Sequence, residues 1–363
     1  MYDNNKDNDT ARKGDSRFPF RRLVVPALFV AALFAVTVFR GRPASDSETV
    51  VWTFSGPTMG TAYTVKVVAP DLSEVVKEEI HQAIRHAVDS VDEAMSTFKA
   101  DSEISRFNSG GVEEFSMSKD LAAVVEVAYR VFEASGGAFD PTVGPLVDVW
   151  GFGPDGRMTP PSAGVLEELN AIVGLSNLEI NLDRGTLKKS VSGVRIDLSA
   201  IAKGFGVDQV VEALLALGYS NAMVEIGGEV RTIGLAADGS PWRIGIERPD
   251  AKGRVVAEAV ELQGLAMATS GDYRNFYLFE GRRISHTIDP RTGRPIDHDL
   301  ASVSVVAETC MVADAWATAL SVLGPVEGPA LAEELGLAVL FITREEDGFE
   351  ERTTRTFPNR LGA

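Results

Sequence analysis

Five short stretches carry side chains whose types and spacing could do chemistry. In "ETCMVADAWATALSVLG" Asp314 and Thr318 stand four apart in an apolar helical pattern, so they share one face, a turn apart. A carboxylate and a hydroxyl so placed can both offer oxygen to a hard cation such as Mg²⁺. The spacing suits equally a polar helix edge on which Thr318 bonds back to a carbonyl. In "RIDLSAIAKGFGVDQV" Asp197 ends a strand-like run, and Ser199 fits as the N-cap of a following helix. Free N–H groups there, with Lys203 behind them, suit an anionic ligand, although ordinary capping uses the same residues. The stretch is neither a Walker A loop nor a G-x-G-x-x-G fingerprint. In "ISHTIDPRTGRPI" His286 stands near a strand end, before a turn begun by Asp289-Pro290 and finished by Gly293. A neutral imidazole at that point could take a proton from a hydroxyl nucleophile, or be satisfied by strand-end hydrogen bonds. Finally, "VEIGGEV" and "MATSGDYRNFY" place Gly227-Gly228 and Ser270-Gly271-Asp272 in turns, with Arg274 able to pair with a phosphate or with solvent.

Composition narrows what these residues can do. The formal charge of −17 over 363 residues argues against nonspecific nucleic-acid binding, which needs basic surface. Residues 1–44 carry eight Lys/Arg against four Asp/Glu, so the remainder holds −21. For a body so acidic, a divalent cation is the expected mediator of a phosphate-bearing ligand. Cys310 is the only cysteine, which excludes an intramolecular disulfide and a thiolate zinc cluster, and it reads as a small core residue. His81, His86 and His298 form no metal-ligand pattern with His286 or one another.

The elements that must position these residues fall into a clear order. Residues 1–22 are polar and mixed in charge, and read as a disordered cytoplasmic tail. Leu23 to Phe39 is uncharged over 17 residues, about 25 Å as a helix, with five basic residues shortly before it. It is expected to be a single-pass signal anchor, leaving everything after Arg42 on the far side of the membrane. Residues 40–49 form a linker, and 50–363 a single large domain. Strand-like "TVVWTF" and "TAYTVKVVA" open that domain, and apolar residues at three- and four-residue spacing predict helices over 73–95, 119–134, 162–172 and 199–217. Short strands are expected at 178–182 and 194–197. Strands dominate the second half, with further helices at 309–323 and 326–335. Helices clustered early and strands late predict an α+β fold, with helices packed on a predominantly antiparallel sheet.

In order, "TMGTAYTV", "MSTFKADSEISRFN", "GGAFDPTVGPLVDVWGFGP", "IDLSAIAKGFGVD", "EIGGEVRTIG", "TSGDYRNFY", "SHTIDPRTGRPI" and "ADAWATALSVLG" closely resemble the ApbE family of FAD:protein FMN transferases. The resemblance runs from about Thr58 to Thr343. It implies a Mg²⁺-dependent reaction in which a Thr or Ser hydroxyl of an acceptor flavoprotein attacks the FMN-side phosphorus of FAD, releasing AMP. By the same resemblance Asp314, Thr318 and the Ala200 carbonyl hold the metal, and His286 activates the acceptor hydroxyl. Met59, Phe98, Ala138, Phe139, Asp140, Asp197, Lys203 and Ile288 occupy flavin-binding positions. Two departures stand out. Ala317 replaces an Asp that some relatives carry, and Phe98 stands where Tyr is frequent. The expected partners are FAD, the acceptor (a membrane redox-complex subunit among the candidates) and the periplasmic face of the membrane. The alternatives are an FAD pyrophosphatase giving FMN and AMP, and a noncatalytic FAD-binding maturation factor.

Overall fold

Side chains that alternate between buried and partly exposed from Tyr63 to Ala69 mark the first hairpin of the computed structural model, which describes residues 49–153, 156, 158–249, 256–271 and 276–362. β1 (Val50–Thr58) runs antiparallel to β2 (Thr61–Ala69), in register from Val50↔Ala69 to Thr58↔Thr61. Tyr63, Val65, Val67 and Ala69 of β2 are buried on one face. The two-residue turn takes φ of 46° at Met59 and 71° at Gly60, as a tight primed turn requires. The tail, anchor and most of the linker expected in residues 1–48 lie outside the described residues. Among those described, no helix is long and apolar enough to cross a membrane.

Helices then dominate. α1 (Glu74–Met95) is capped by Ser73, whose hydroxyl accepts the Val76 amide, and it buries Ile80, Ile84, Val88 and Val91. After it come α2 (Glu103–Ser109), β3 (Phe115–Ser116), α3 (Lys119–Ala134), α4 (Gly144–Val149), α5 (Ala163–Asn170), β4 (Leu178–Asn181) and β5 (Thr186–Lys189). The strand expected over 194–197 does not form. Instead the Asn108 side chain closes both backbone groups of Ile196: its Oδ1 accepts the amide at 2.7 Å and its Nδ2 donates to the carbonyl at 2.8 Å. A side chain here does what a neighbouring strand would do.

The second half is α6 (Ala202–Ala216), β6 (Ala222–Ile226), β7 (Glu229–Ile233), β8 (Trp242–Glu247), β9 (Val256–Leu262), β10 (Ala266–Gly271), β11 (Phe276–Phe279) and β12 (Arg282–Ser285). Then follow β13 (Ile288–Asp289), β14 (Arg294–Pro295), β15 (Leu300–Ala307), α7 (Cys310–Glu334), β16 (Ala338–Glu345), β17 (Gly348–Thr353) and β18 (Arg360–Gly362). Ser270 and Gly271 lie in β10 rather than in a turn, paired with Val303 and Ser302. Asp272 and Arg274 lie outside the described residues. α7 breaks at Gly324 (φ 77°), where Pro325 follows, which separates the two helical segments expected there.

An eight-stranded antiparallel sheet, ordered β1-β2-β6-β7-β10-β15-β16-β17, organises the whole. Its pleat sends alternate residues to two cores. Val65, Val224 and Ile226 meet Ile84 of α1 and Val210 of α6, and Val303 and Phe341 meet α7. On the opposite face, Met267, Val306 and Leu340 meet Trp242 and Ile244 of the small β18-β9-β8 sheet. This is the expected α+β domain.

Candidate active site

Two aspartates tie α6 and α7 together end to end. The Asp208 carboxylate of α6 accepts the backbone amides of Cys310 and Met311, each at 2.9 Å, and so caps the start of α7. In return, Asp314 Oδ2 of α7 accepts the Gly204 amide in the first turn of α6 at 3.0 Å. Each helix thus satisfies free N–H groups of the other with a buried carboxylate. The helices also approach closely: a Cβ at Gly204 would stand 2.4 Å from the Cys310 carbonyl oxygen. Cys310 is buried, as a core residue should be, and burial pushes its thiol well above the usual range.

Ser199 is not the cap of α6. The cap position is Ile201, without a side-chain bond, and the Ser199 amide donates to Asp197 Oδ1 at 2.8 Å. Asp197 therefore shapes the approach to the helix, and its own amide donates to Pro141 O at 2.7 Å. Ala200 lies between these residues and α6, half-buried.

Lys203 sits at the centre of the next contacts. Its Nζ lies 3.6 Å from Asp314 Oδ2 and 3.5 Å from Glu229 Oε1, and donates to the Ser199 carbonyl at 3.3 Å. Burial works against its charge, but Asp314 and Glu229 outweigh burial and raise its pKa. Burial pushes the Glu229 carboxyl upward, with Lys203 opposing and Asp314 adding to the rise. Thr318 is half-buried one turn beyond Asp314 on α7.

Two glycine-bearing turns close over this end of the sheet. Gly227-Gly228 links β6 to β7 with φ of 63° and 109°, the hairpin the sequence leads one to expect. The Gly227 amide donates to Ala62 O beside the Met59-Gly60 turn. Met59 is half-buried against α6, where a Cβ on Gly206 would meet its Cε at 2.8 Å. Phe98 follows α1 and is 76% exposed, a large apolar side chain at the surface.

The loop from Ala138 to Gly144 is firmly anchored. Asp140 Oδ1 accepts the amide and hydroxyl of Thr142 at 2.8 and 2.6 Å, and its Oδ2 accepts the Leu175 amide at 3.2 Å. Burial raises the Asp140 pKa against these bonds. Its carboxylate is thus committed to its own loop, and the Phe139 ring is buried in the main core with Ala138 buried beside it. These three positions would reach a ligand through backbone groups rather than by the Phe139 ring or the Asp140 carboxylate.

His286 stands in a separate aromatic group. It follows β12, and its ring meets Phe152 edge-on at 6.2 Å between centroids; Phe152 in turn meets Tyr277 at 5.4 Å. Trp150 donates to Gly293 O at 2.9 Å and accepts Tyr277 Oη at its carbonyl at 3.1 Å, which fixes the layer. Ile288 packs below with Leu146, Trp150 and Leu166. Asp289 holds Arg291 through two bonds of 3.0 Å and accepts the Gly293 amide at its carbonyl, so the polar turn is structural as expected. Gly144 joins the groups, because a Cβ there would lie 3.3 Å from Asp197 Cβ.

The structure therefore unites Asp314, Lys203 and the Asp197–Ala200 approach, and sets His286 with Ile288. Asp208 and Glu229 are not singled out from sequence, since each acts across an interval that no local spacing reveals. Among the described residues, no group of three or more His, Cys, Asp or Glu side chains forms a ready metal cluster.

Known proteins resemble the chain over most of its length. The ApbE family model matches residues 59–341. An FAD:protein FMN transferase of Vibrio cholerae is 44% identical over 306 residues, covering 84% of this chain and 90% of the relative. One from Haemophilus influenzae is 42% identical, covering 90% and 96%. The solved flavin transferase ApbE from Vibrio cholerae superposes with a TM-score of 0.78 at 43% identity, covering 85% of this chain and 98% of that one.

Proposed function

The chain belongs to the ApbE family and is an FAD:protein FMN transferase by that membership, and we propose that it moves FMN from FAD onto a Thr or Ser hydroxyl of an acceptor flavoprotein, with Mg²⁺, releasing AMP. The observation that carries the reading is the Asp314–Lys203 cluster at the start of α6, on a chain whose relatives bear that name.

The donor set suits a hard cation. Asp314 and Thr318 share a face of α7, the Ala200 carbonyl stands at the approach to α6, and two carboxylates face one lysine. Mg²⁺ held by Asp314, Thr318 and Ala200 would supply positive charge against the FAD pyrophosphate. Lys203 adds a compact ammonium beside the phosphates. The exposed Phe98 ring offers a stacking face for the flavin, and Met59 and Ile288 supply apolar contact. His286 takes the proton of the acceptor hydroxyl as its oxygen bonds to the FMN-side phosphorus. The bond from that phosphorus to the bridging oxygen breaks, and AMP leaves with the electron pair.

The test incubates the full chain with FAD, Mg²⁺ and a Thr-containing acceptor protein, and follows covalent flavin fluorescence and AMP together. Labelled acceptor with equimolar AMP is expected, and Asp314→Ala should abolish both. Free FMN without label would favour the pyrophosphatase, and binding without turnover the maturation factor.

We also place the catalytic unit on the periplasmic side of a bacterial inner membrane, with residues 23–39 as a single-pass anchor and a membrane redox-complex subunit as the natural acceptor. The apolar run and its basic flank support this reading. Protease added to intact spheroplasts should digest the domain; protection until lysis would reverse the topology.

A further inference from the structure

Glu229 is a buried carboxylate that the reaction above does not use. It is 4% exposed, opens β7 directly after Gly227-Gly228, and is held opposite Ile226 by the sheet. Its Oε1 lies 3.5 Å from Lys203 Nζ, and its Oε2 is buried without a hydrogen-bond partner among the described residues. An apolar side chain would fill such a place at lower cost if packing were its whole purpose.

Lys203 has two carboxylate neighbours, and they differ in kind. Asp314 is the residue to which a divalent cation would be drawn, and its Oδ2 already accepts the Gly204 amide. A cation at Asp314 repels an ammonium 3.6 Å from the same carboxylate. Glu229 belongs to the sheet rather than to α6 or α7, so it holds its place whichever partner Asp314 takes. We propose that Glu229 is a positioning residue, which retains Lys203 beside the phosphate site and off Asp314 when Asp314 holds the cation. Without Glu229, Lys203 falls back onto Asp314 and competes with the metal. The proposal rests on the cation reading of Asp314.

The test uses the full chain without FAD and measures Mn²⁺ affinity by electron paramagnetic resonance, alongside thermal melting. Wild type should bind Mn²⁺ more tightly than Asp314→Ala. Glu229→Gln, which keeps the shape, should weaken Mn²⁺ by about 10- to 100-fold, the range usual for residues that orient metal ligands. Adding Lys203→Met to Glu229→Gln should restore affinity to within about threefold of wild type, because the competitor is gone. Unchanged affinity in Glu229→Gln would make the contact purely structural and overturn the proposal. A loss that Lys203→Met leaves in place would make Glu229 a direct ligand and overturn it too. Lost cooperative melting that Lys203→Met does not repair would make Glu229 a fold residue, which likewise overturns the proposal. Wild type binding no better than Asp314→Ala would sink the cation reading itself, and this proposal with it.

Discussion

His286 is the base proposed above for the acceptor hydroxyl. Its ring lies edge-on to Phe152, which itself meets Tyr277, whose hydroxyl donates to the Trp150 carbonyl. A positioned general base contributes about 100- to 10,000-fold to rate, and little to binding of a ligand it does not touch in the ground state. His286→Ala should therefore slow FMN transfer by about 100-fold or more, with FAD affinity within about threefold of wild type. Stopped-flow label incorporation and equilibrium flavin binding would check the two halves, and an unchanged rate would remove His286 from the mechanism. The places of His286, Asp314 and Lys203 were legible in the sequence, because a strand end, a helix face and a helix start are local patterns, while the roles proposed for them rest on the family resemblance. Glu229 and Asp208 were not. Asp208 meets Cys310 across 102 residues, and only the folded chain brings those two together.

At the scale of elements, the site depends on α6 and α7 meeting without a side chain between them. Gly204 allows that approach and places its amide on Asp314, while Asp208 caps the other helix. Adding a methyl group at Gly204 forces the backbones apart, since the clashing atom is a carbonyl oxygen rather than a flexible side chain. Gly204→Ala should lower stability by about 1–3 kcal/mol through overpacking. It should also weaken Mn²⁺ binding, because Lys203 and Asp314 move with the helices. Denaturant melts and metal titration read the two effects, and a stable variant with normal metal affinity would refute the reciprocal clamp. Most elements were legible. The alternation in β2 and the stripe of α1 follow periodicity, and the Gly-Gly hairpin follows turn chemistry. The exceptions have physical causes: Asn108 replaces a strand partner for Ile196, and Asp314 serves the start of α6 where Ser199 fits the local rule.

Across the whole molecule the governing fact is charge. The chain carries −17, with its excess of Lys and Arg confined to the first 44 residues, so the catalytic unit repels a dinucleotide bearing two phosphates. Local order answers this only in part. The Lys203 ammonium already faces Asp314 and Glu229, so it brings no net positive charge to the cluster until a cation joins it. Without a divalent cation, long-range repulsion should then govern FAD binding, and salt should relieve it, because the Debye length falls from about 20–30 Å near 0.02 M to about 4–5 Å near 0.5 M. FAD affinity in EDTA should rise by about threefold or more over that range of KCl. With excess Mg²⁺ the trend should flatten or reverse, since salt then screens an attraction at the site. Flavin fluorescence titrations in the two conditions measure both slopes. Affinity that falls with salt in EDTA would mean that the field of Lys203, rather than the acidic body, decides how the phosphates are received.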